Sequence, residues 1–375
     1  MGKVEPNHYQ KDIINWVLNG DGNAIVNALA GTGKTSTLEM VAQACNKKML
    51  FLAFNKHIAE ELTNKPTLSP KAKKKDEGGT GELKIMTVNS LGDMIMRDTL
   101  GTRVKSGELT YPKGGFLKPN KLLGILGKIL RDNCNTRGIK YDDDMIWTMQ
   151  RDLKTACDKV RAKYMSTDED SIQKIIIEDK LCQFNVGLDK DDPTQIVFPV
   201  LPWAQICEDA LIRSMDLYQE RGEYDFVEQL FLPIKLKMGI PSWLGWYTGF
   251  IMIDEAQDIS KLQLALIKKV SNYRLPMGKA APTRFLFVGD KNQAIYAFAG
   301  ADCHSITNIK KQVYAQEFPL NICYRCAKKI IKVAQQDVPE IEAAPNAIEG
   351  EVYTIRNEEI GKLIQPRRYG NSKKE

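Results

Sequence analysis

The stretch that most constrains this chain runs from Ala24 to Leu38: Ala-Ile-Val-Asn-Ala-Leu-Ala-Gly-Thr-Gly-Lys-Thr-Ser-Thr-Leu. Its apolar start, Ala24 to Val26, reads as a buried strand, and Thr35 to Ala44 reads as a helix. Between them Ala28, Leu29, Ala30, Gly31, Thr32, Gly33, Lys34 and Thr35 make the P-loop pattern, with Ala28 where the generic motif has its first glycine. Two glycines let the backbone curl until successive N–H groups face one anion, and the following helix adds its positive N-terminal end. In this pattern Lys34 reaches the β- and γ-phosphates and Thr35 reaches Mg²⁺. The flanking strand and helix are the context the motif requires. The segment therefore reads as a nucleotide site rather than a Gly-rich turn.

A phosphate loop needs acidic partners, and one candidate pair stands out. Gly249-Phe-Ile-Met-Ile-Asp254-Glu255-Ala-Gln-Asp258 is an apolar run ending in adjacent carboxylates. A strand end there presents Asp254 to Mg²⁺, while Glu255 can orient and deprotonate a water. Asp254 stands 220 residues after Lys34, more than a compact nucleotide-binding domain needs, so a segment is inserted between two halves of one sheet. Further apolar runs at Lys48–Phe54, Leu83–Val88 and Arg284–Val288 read as strands, with a helix from His57 to Leu62 and a helix cap at Asn89-Ser90. Such alternation predicts an α/β fold with a parallel sheet. From Gly101 to Trp246 helical periodicity dominates, at Leu122–Leu130, Met145–Val160, Ile172–Leu181 and Trp203–Tyr218. Trp147, Trp203, Trp243 and Trp246 read as core residues of that region.

Other residues leave two readings open. Gln10, in a short amphipathic helix from Pro6 to Val17, can read an adenine edge or be an ordinary surface glutamine. Gln293 follows the Arg284–Val288 strand on a polar tip suited to sensing a γ-phosphate. Tyr296 and Phe298 beyond it can stack on bases or fill a core. Phe318 to Ile331 reads as a strand leading to a helix with Arg325 at its N-terminal end, and Glu351 to Ile355 is strand-like. Lys65 to Gly81 reads as a solvated loop, and the basic end from Pro366 to Glu375 as disordered.

Composition narrows the class. A chain of 375 residues with 43% hydrophobic and 27% charged residues is expected to be soluble, in two or three compact units. Its net charge of +6 permits a polyanionic partner without requiring one. Eight cysteines lack framework spacing, which suits a reducing compartment: cytoplasmic, nuclear if the source has a nucleus, or a host cell if viral. Cys323-Tyr-Arg-Cys326 has no second pair, so zinc is not expected there. No apolar run reaches the roughly 18 residues of a membrane span. Asn55-Lys56 continues into His57-Ile58, so no guanine-reading Asn-Lys-x-Asp motif forms.

The order of these motifs resembles superfamily 1A DNA helicases of the UvrD/Rep/PcrA type. Ala53-Phe-Asn-Lys56 is most similar to the F-box DNA helicase branch and phage relatives. The matching blocks, in family order, are Gln10, Ala28–Thr35, Ala53–Lys56, Thr87–Leu91, Ile253–Asp258, Val288–Asp302 and Leu320–Arg325, with Tyr224-Asp225-Phe226 as a short Asp-Phe motif. The resemblance implies a RecA-like parallel sheet with a mainly helical insertion and the start of a second RecA-like domain, with ATP bound between the two domains. The boundaries expected are 1–100 and 248–316 for the first domain, 101–247 for the insertion, and 317–375 for the second domain and tail. By position, Gln10 would read adenine and Tyr324 stack on it, and Arg325 would be the arginine finger. Gln293 would couple the γ-phosphate to DNA. Phe54, Asn55, Thr87, Asn89, Tyr296 and Phe298 would line a single-stranded DNA path. Phe298 stands where relatives have tryptophan, and Ala299 where they often have a DNA-contacting arginine. No later helicase block follows Arg325. The expected activity is thus either 3′→5′ ATP-dependent unwinding of tailed duplex DNA, in whole or as the N-terminal portion of a helicase, or ATP-gated binding of single-stranded DNA. A second polypeptide carrying the later blocks is an expected partner of a split motor.

Overall fold

Long apolar runs with no polar alternation must be covered on both faces, and here they pair into one all-parallel sheet. The computed structural model describes residues 5–45, 47–65, 82–163, 166–183, 201–271, 283–293 and 305–353. The elements begin with α1 (His8–Asn19), β1 (Asn23–Ala28), α2 (Lys34–Ala44), β2 (Met49–Ala53), α3 (Lys56–Asn64), β3 (Leu83–Thr87) and α4 (Val88–Lys105). Five helices follow: α5 (Lys121–Thr136), α6 (Asp143–Ala162), α7 (Glu169–Glu178), α8 (Trp203–Arg221) and α9 (Glu228–Lys235). Then come β4 (Phe250–Ile253), α10 (Lys261–Ser271), β5 (Arg284–Gly289), α11 (Ser305–Val313) and β6 (Ala315–Leu320). The last are β7 (Ile322–Cys323), α12 (Lys328–Ala334) and β8 (Glu342–Ala343).

The sheet order is β3-β2-β4-β5-β1-β6, and every pairing is parallel. Successive side chains point to opposite faces. Ile25, Leu52, Ile253 and Phe287 therefore enter a core with α4, α9, α10 and α11, while Val26, Phe51, Met252 and Val288 enter another with α1, α2 and α3. Side chains start the helices. Asn7 and Gln10 form a capping box on α1, and the Asn55 carboxamide accepts from the Ile58 amide to open α3. The cap of α4 is Thr87, which accepts from Ser90 N–H, and not Asn89-Ser90 as the sequence suggests.

Helices α5 to α8 enclose a core of their own, built from residues such as Leu126, Ile146, Leu153, Ile175 and Leu211. Helix α4 continues unbroken through residue 101. Leu230, Phe231 and Leu232 of α9, and Leu244 of the 3₁₀ turn Ser242–Tyr247, belong to the sheet's core. The stretch with a separate core is thus narrower than the helical region read from periodicity. Two further expectations are corrected. Trp147, Trp243 and Trp246 are exposed, with Lys84 over Trp243 and Lys48 over Trp246, and only Trp203 packs against the helical core. Residues 351–353 form no strand.

The chain divides into two compact units, Met1–Ala28 with Lys34–Leu320, and Leu29–Gly33 with Asn321–Glu375. In the second unit β7 pairs parallel with β8, and Leu29, Cys323, Ile331 and Ile341 share a small core.

A buried ionic cluster joins α5, α6 and the start of α9 in the first unit. The Arg161 guanidinium, 1% exposed, donates from both Nη atoms to Asp225 Oδ2 at 3.2 Å. Lys121 Nζ donates to Glu228 Oε2 at 2.8 Å, and the Ser214 hydroxyl donates to Glu228 Oε1 at 2.7 Å. Removing one partner of a buried pair strands the other's charge, at about 3–5 kcal/mol. Arg161→Met should therefore lower unfolding free energy by about that amount in urea titrations. Trp147→Ser on the exposed face should stay within about 0.5 kcal/mol of the parent.

Candidate functional site

In an all-parallel sheet every strand ends on one edge, and ligands gather there. The P-loop leaves that edge after β1. Gly31 and Gly33 hold φ of +73° and +84°, a left-handed conformation costly for any residue with a Cβ. The Thr32 N–H and hydroxyl both donate to the Leu29 carbonyl, at 3.3 and 2.7 Å, and close the turn. Lys34 and Thr35 then open α2. Ala28 ends β1 and is fully buried, so a glycine is not needed at that position.

Lys34 Nζ donates to Glu255 Oε2 at 2.8 Å. Asp254, 2% exposed at the end of β4, accepts from the Glu255 N–H at 2.9 Å and donates its own N–H to the Leu52 carbonyl. Burial first, and the neighbouring Glu255 charge second, push the Asp254 carboxyl up to about 6. Asp258 is pushed to about 6 by the same two causes. Glu255 itself has φ of +49° and ψ of +50°, a strained setting for a non-glycine residue. Its carboxylate is held by Lys34 and by Gln257 Nε2, which donates at 2.7 Å. Asp254 and the Thr35 hydroxyl supply oxygen donors of the kind Mg²⁺ takes. Among the described residues no three His, Cys, Asp or Glu side chains gather as a metal cage.

Beyond β5, the Asp290 N–H donates to Gln257 Oε1 at 3.0 Å, and Asp290 Oδ2 accepts from Gln293 Nε2 at 2.9 Å. A hydrogen-bonded chain therefore runs Lys34–Glu255–Gln257–Asp290–Gln293 along the ends of β1, β4 and β5. Gln10 is no surface residue. It is 4% exposed, its Oε1 accepting from the Asn7 N–H and its Nε2 donating to Thr37 Oγ1. In the second unit the Tyr324 N–H donates to the Gly31 carbonyl at 2.9 Å. A Cβ on Gly31 would lie 2.8 Å from the Arg325 Cβ. Gly31 thus has Tyr324 and Arg325 against it within the second unit, both exposed. Arg325 lies in the bend before α12 rather than within a helix.

Along the same edge, Phe54, Asn55, Thr87 and Asn89 from the ends of β2 and β3 meet in one cleft of about 370 Å³ with Lys56, Asp93, Gln229 and Phe226. Phe226 is the residue that periodicity missed. Asp225 Oδ1 accepts from the Val227 and Glu228 amides, and Glu228 Oε2 accepts in return from the Asp225 N–H. Those reciprocal bonds, anchored by Arg161 and Lys121, hold a half-exposed phenylalanine between two buried acids. An Asp and a Glu three residues apart carry a capping signature. It could have marked Phe226 as sitting at a helix entry, where side chains are commonly solvent-facing, rather than in a helix interior. Tyr296 and Phe298 lie outside the described residues.

An all-parallel sheet with a phosphate loop after β1 and paired acids after β4 is a RecA-like P-loop fold. A family model described as the UvrD/REP helicase N-terminal domain matches residues 7–314, and the chain belongs to that family. It is 25% identical over 364 residues to a probable DNA helicase II homolog of Mycoplasma genitalium, covering 92% of this chain and 44% of the relative. It is also 30% identical over 115 residues to the ATP-dependent DNA helicase Rep of Buchnera aphidicola, 29% of this chain and 16% of that one. With the ATP-dependent DNA helicase PcrA of Bacillus subtilis it shares 30% over 119 residues, 30% of this chain and 15% of that one. The chain spans less than half the length of these relatives. Among the described residues no helix is long and apolar enough to cross a membrane.

The Asp254 carboxyl gives a test that needs no turnover. Its folded pKa of about 6 lies above the ordinary value of 3.8, so between those values the folded chain holds a proton that the unfolded chain has released. Stability should fall as pH rises through that window, and the penalty is complete near pH 7. In chelator, Asp254→Asn should raise stability at pH 7.5 by roughly 1–3 kcal/mol and flatten the slope between pH 4 and 7. Asp258 should keep part of that slope. Urea titrations at three pH values check this. An unchanged slope would mean Asp254 ionises normally.

Proposed function

We propose that this chain is the nucleotide- and DNA-binding part of an ATP-dependent DNA helicase, hydrolysing ATP in response to single-stranded DNA. The observation that carries this reading is a single sheet edge with two sites on it. One is a phosphate loop whose lysine is paired with Glu255. The other, two strands from that loop's sheet neighbour, is a cleft lined by Phe54, Asn55, Thr87, Asn89 and Phe226. The 3′→5′ polarity and the tailed-duplex substrate follow from the family resemblance.

The residues suggest the mechanism. Successive N–H groups of the P-loop receive the phosphates, and Lys34 moves from Glu255 to the β- and γ-phosphates. Glu255, losing its cation, becomes free to accept a proton from the attacking water. Mg²⁺ held by Asp254 and Thr35 would neutralise charge developing on the phosphate oxygens. By the family resemblance, Arg325 would serve the same task. An ATP-gated binder without turnover would need Lys34 but no Glu255. The strained, doubly held Glu255 favours hydrolysis.

Three substitutions separate the parts. Lys34→Ala should abolish measurable Mg·ATP binding by calorimetry, and Glu255→Gln should keep binding while removing hydrolysis. Stacking on an aromatic is worth about 1–3 kcal/mol per base. Phe226→Ala should therefore weaken oligo-dT binding by about 5- to 150-fold in anisotropy titrations, with affinity falling as salt rises. Tyr296→Ala and Phe298→Ala should act in the same direction. Equal ATP affinity in the parent and Lys34→Ala would sink the nucleotide assignment.

A further inference from the structure

Between Glu255 and the Asp290–Gln293 turn lies a side chain to which the proposed hydrolysis gives no role. Gln257 sits in the 3₁₀ turn Ala256–Asp258 and is 3% exposed. Its Nε2 donates to Glu255 Oε2 at 2.7 Å and more weakly to Asp258 Oδ2 at 3.3 Å, while its Oε1 accepts from the Asp290 N–H at 3.0 Å. The amide can face only one way, because a backbone N–H needs the oxygen and a carboxylate needs the NH₂ group. Space is reserved for it too. A Cβ on Gly289 would lie 2.5 Å from Gln257 Oε1 and 3.0 Å from Ala256 N, so any side chain there would push the Gln257 amide aside. Asp290 in turn accepts from Gln293 Nε2 and from the Asn292 N–H. The Ser305 hydroxyl, at the start of α11, donates to the Ala256 carbonyl. The turn that holds Glu255 is thus tied to both Gln293 and Ser305, on either side of the sequence stretch that includes Tyr296 and Phe298.

We propose that Gln257 is a positioning residue that holds the Glu255 carboxylate and links it to the Asp290–Gln293 turn, so that hydrolysis responds to bound DNA. This rests on the reading of Glu255 as the water-activating base. Gln257 touches neither phosphate nor DNA on this view; it acts through Glu255. Without its NH₂ donor, a carboxylate already in a strained left-handed backbone keeps, among the described residues, Lys34 alone, and loses that partner when Lys34 turns to phosphate. Hydrolysis would then proceed with an unoriented base, whether or not DNA is bound.

Two variants of the full chain separate the arms. Gln257→Glu keeps an oxygen for the Asp290 N–H but turns an acceptor toward Glu255. Gln257→Met keeps the length and loses both bonds. Hydrogen exchange over residues 283–293 should speed up in Gln257→Met and stay near the parent rate in Gln257→Glu. Both variants should lower the poly-dT-stimulated kcat by about tenfold or more and shrink the ratio of stimulated to unstimulated turnover. The KM for ATP and the Kd for poly-dT should be unchanged. A residue that only fills space would shift the melting temperature without that split. Parent-like stimulated turnover in Gln257→Glu would overturn the proposal, as would an equal fall with and without DNA. Failure of the parent chain to bind Mg·ATP would instead remove the functional reading, while the exchange contrast would still report on the Gln257–Asp290 bond.

Discussion

Parallel pairing decides where chemistry can sit in this molecule. Because all strands of the main sheet run the same way, the residues that follow β1, β2, β3, β4 and β5 emerge on one edge, whatever their distance in sequence. The order β3-β2-β4-β5-β1 then arranges them. Thr87 and Asn89 come first, next Phe54 and Asn55, then Asp254 and Glu255, then Asp290 and Gln293, and last the P-loop. The cleft that Phe54, Asn55, Thr87 and Asn89 line and the Lys34–Glu255 pair thus lie along one edge, with acids and amides between them. The Lys34–Glu255 bond spans the gap left by β5, and that gap is what Gln257 and Asp290 fill.

The helical insertion serves this edge through one short segment. Arg161 of α6 and Lys121 of α5 are buried against Asp225 and Glu228, and a buried ion cluster tolerates only a narrow geometry. That geometry sets the entry to α9 and leaves Phe226 at the cleft beside Phe54. The Tyr224 hydroxyl donates to Asp93 of α4 at 2.6 Å, and burial pushes its ionisation up, so it remains a donor. Substitutions in the core of α5 to α8 can therefore change the cleft without touching it.

Much of this was legible in the residues themselves. Continuous apolar runs gave the strands, because a doubly covered strand has no polar face to alternate with. The places of the Ala28–Thr35 loop after β1 and of Asp254-Glu255 after β4 were legible because each directly follows an apolar run. What stayed hidden depends on long-range placement. Nothing local says that β5 lies between β4 and β1, so the Gln257–Asp290 bond cannot be inferred from either segment. Gln10 looked like a surface residue because its partner Thr37 is 27 positions away. Trp243 and Trp246 looked like core because large aromatics usually are. Here the adjoining Lys48 and Lys84 ammonium groups offer cation–π contacts at the surface instead.

The end of β4 concentrates features that work against folding: a buried acid with a raised pKa, a second one at Asp258, and a left-handed glutamate. A neutral isostere of Asp254 or Asp258 would relieve the cost of burying a charge there, the trade expected where a site needs charge in a dry place. The surroundings make that tolerable. Phe250, Ile251, Met252 and Ile253 are buried on both faces immediately before Asp254, so the strain sits on a well-packed support. The same burial that raises the Asp254 pKa also strengthens its interaction with any cation that arrives, since charges attract more strongly in low dielectric. A site of this kind is destabilised alone and stabilised by its ligand. A cation bound there would relieve the repulsion between Asp254 and Glu255 that helps to raise the Asp254 pKa.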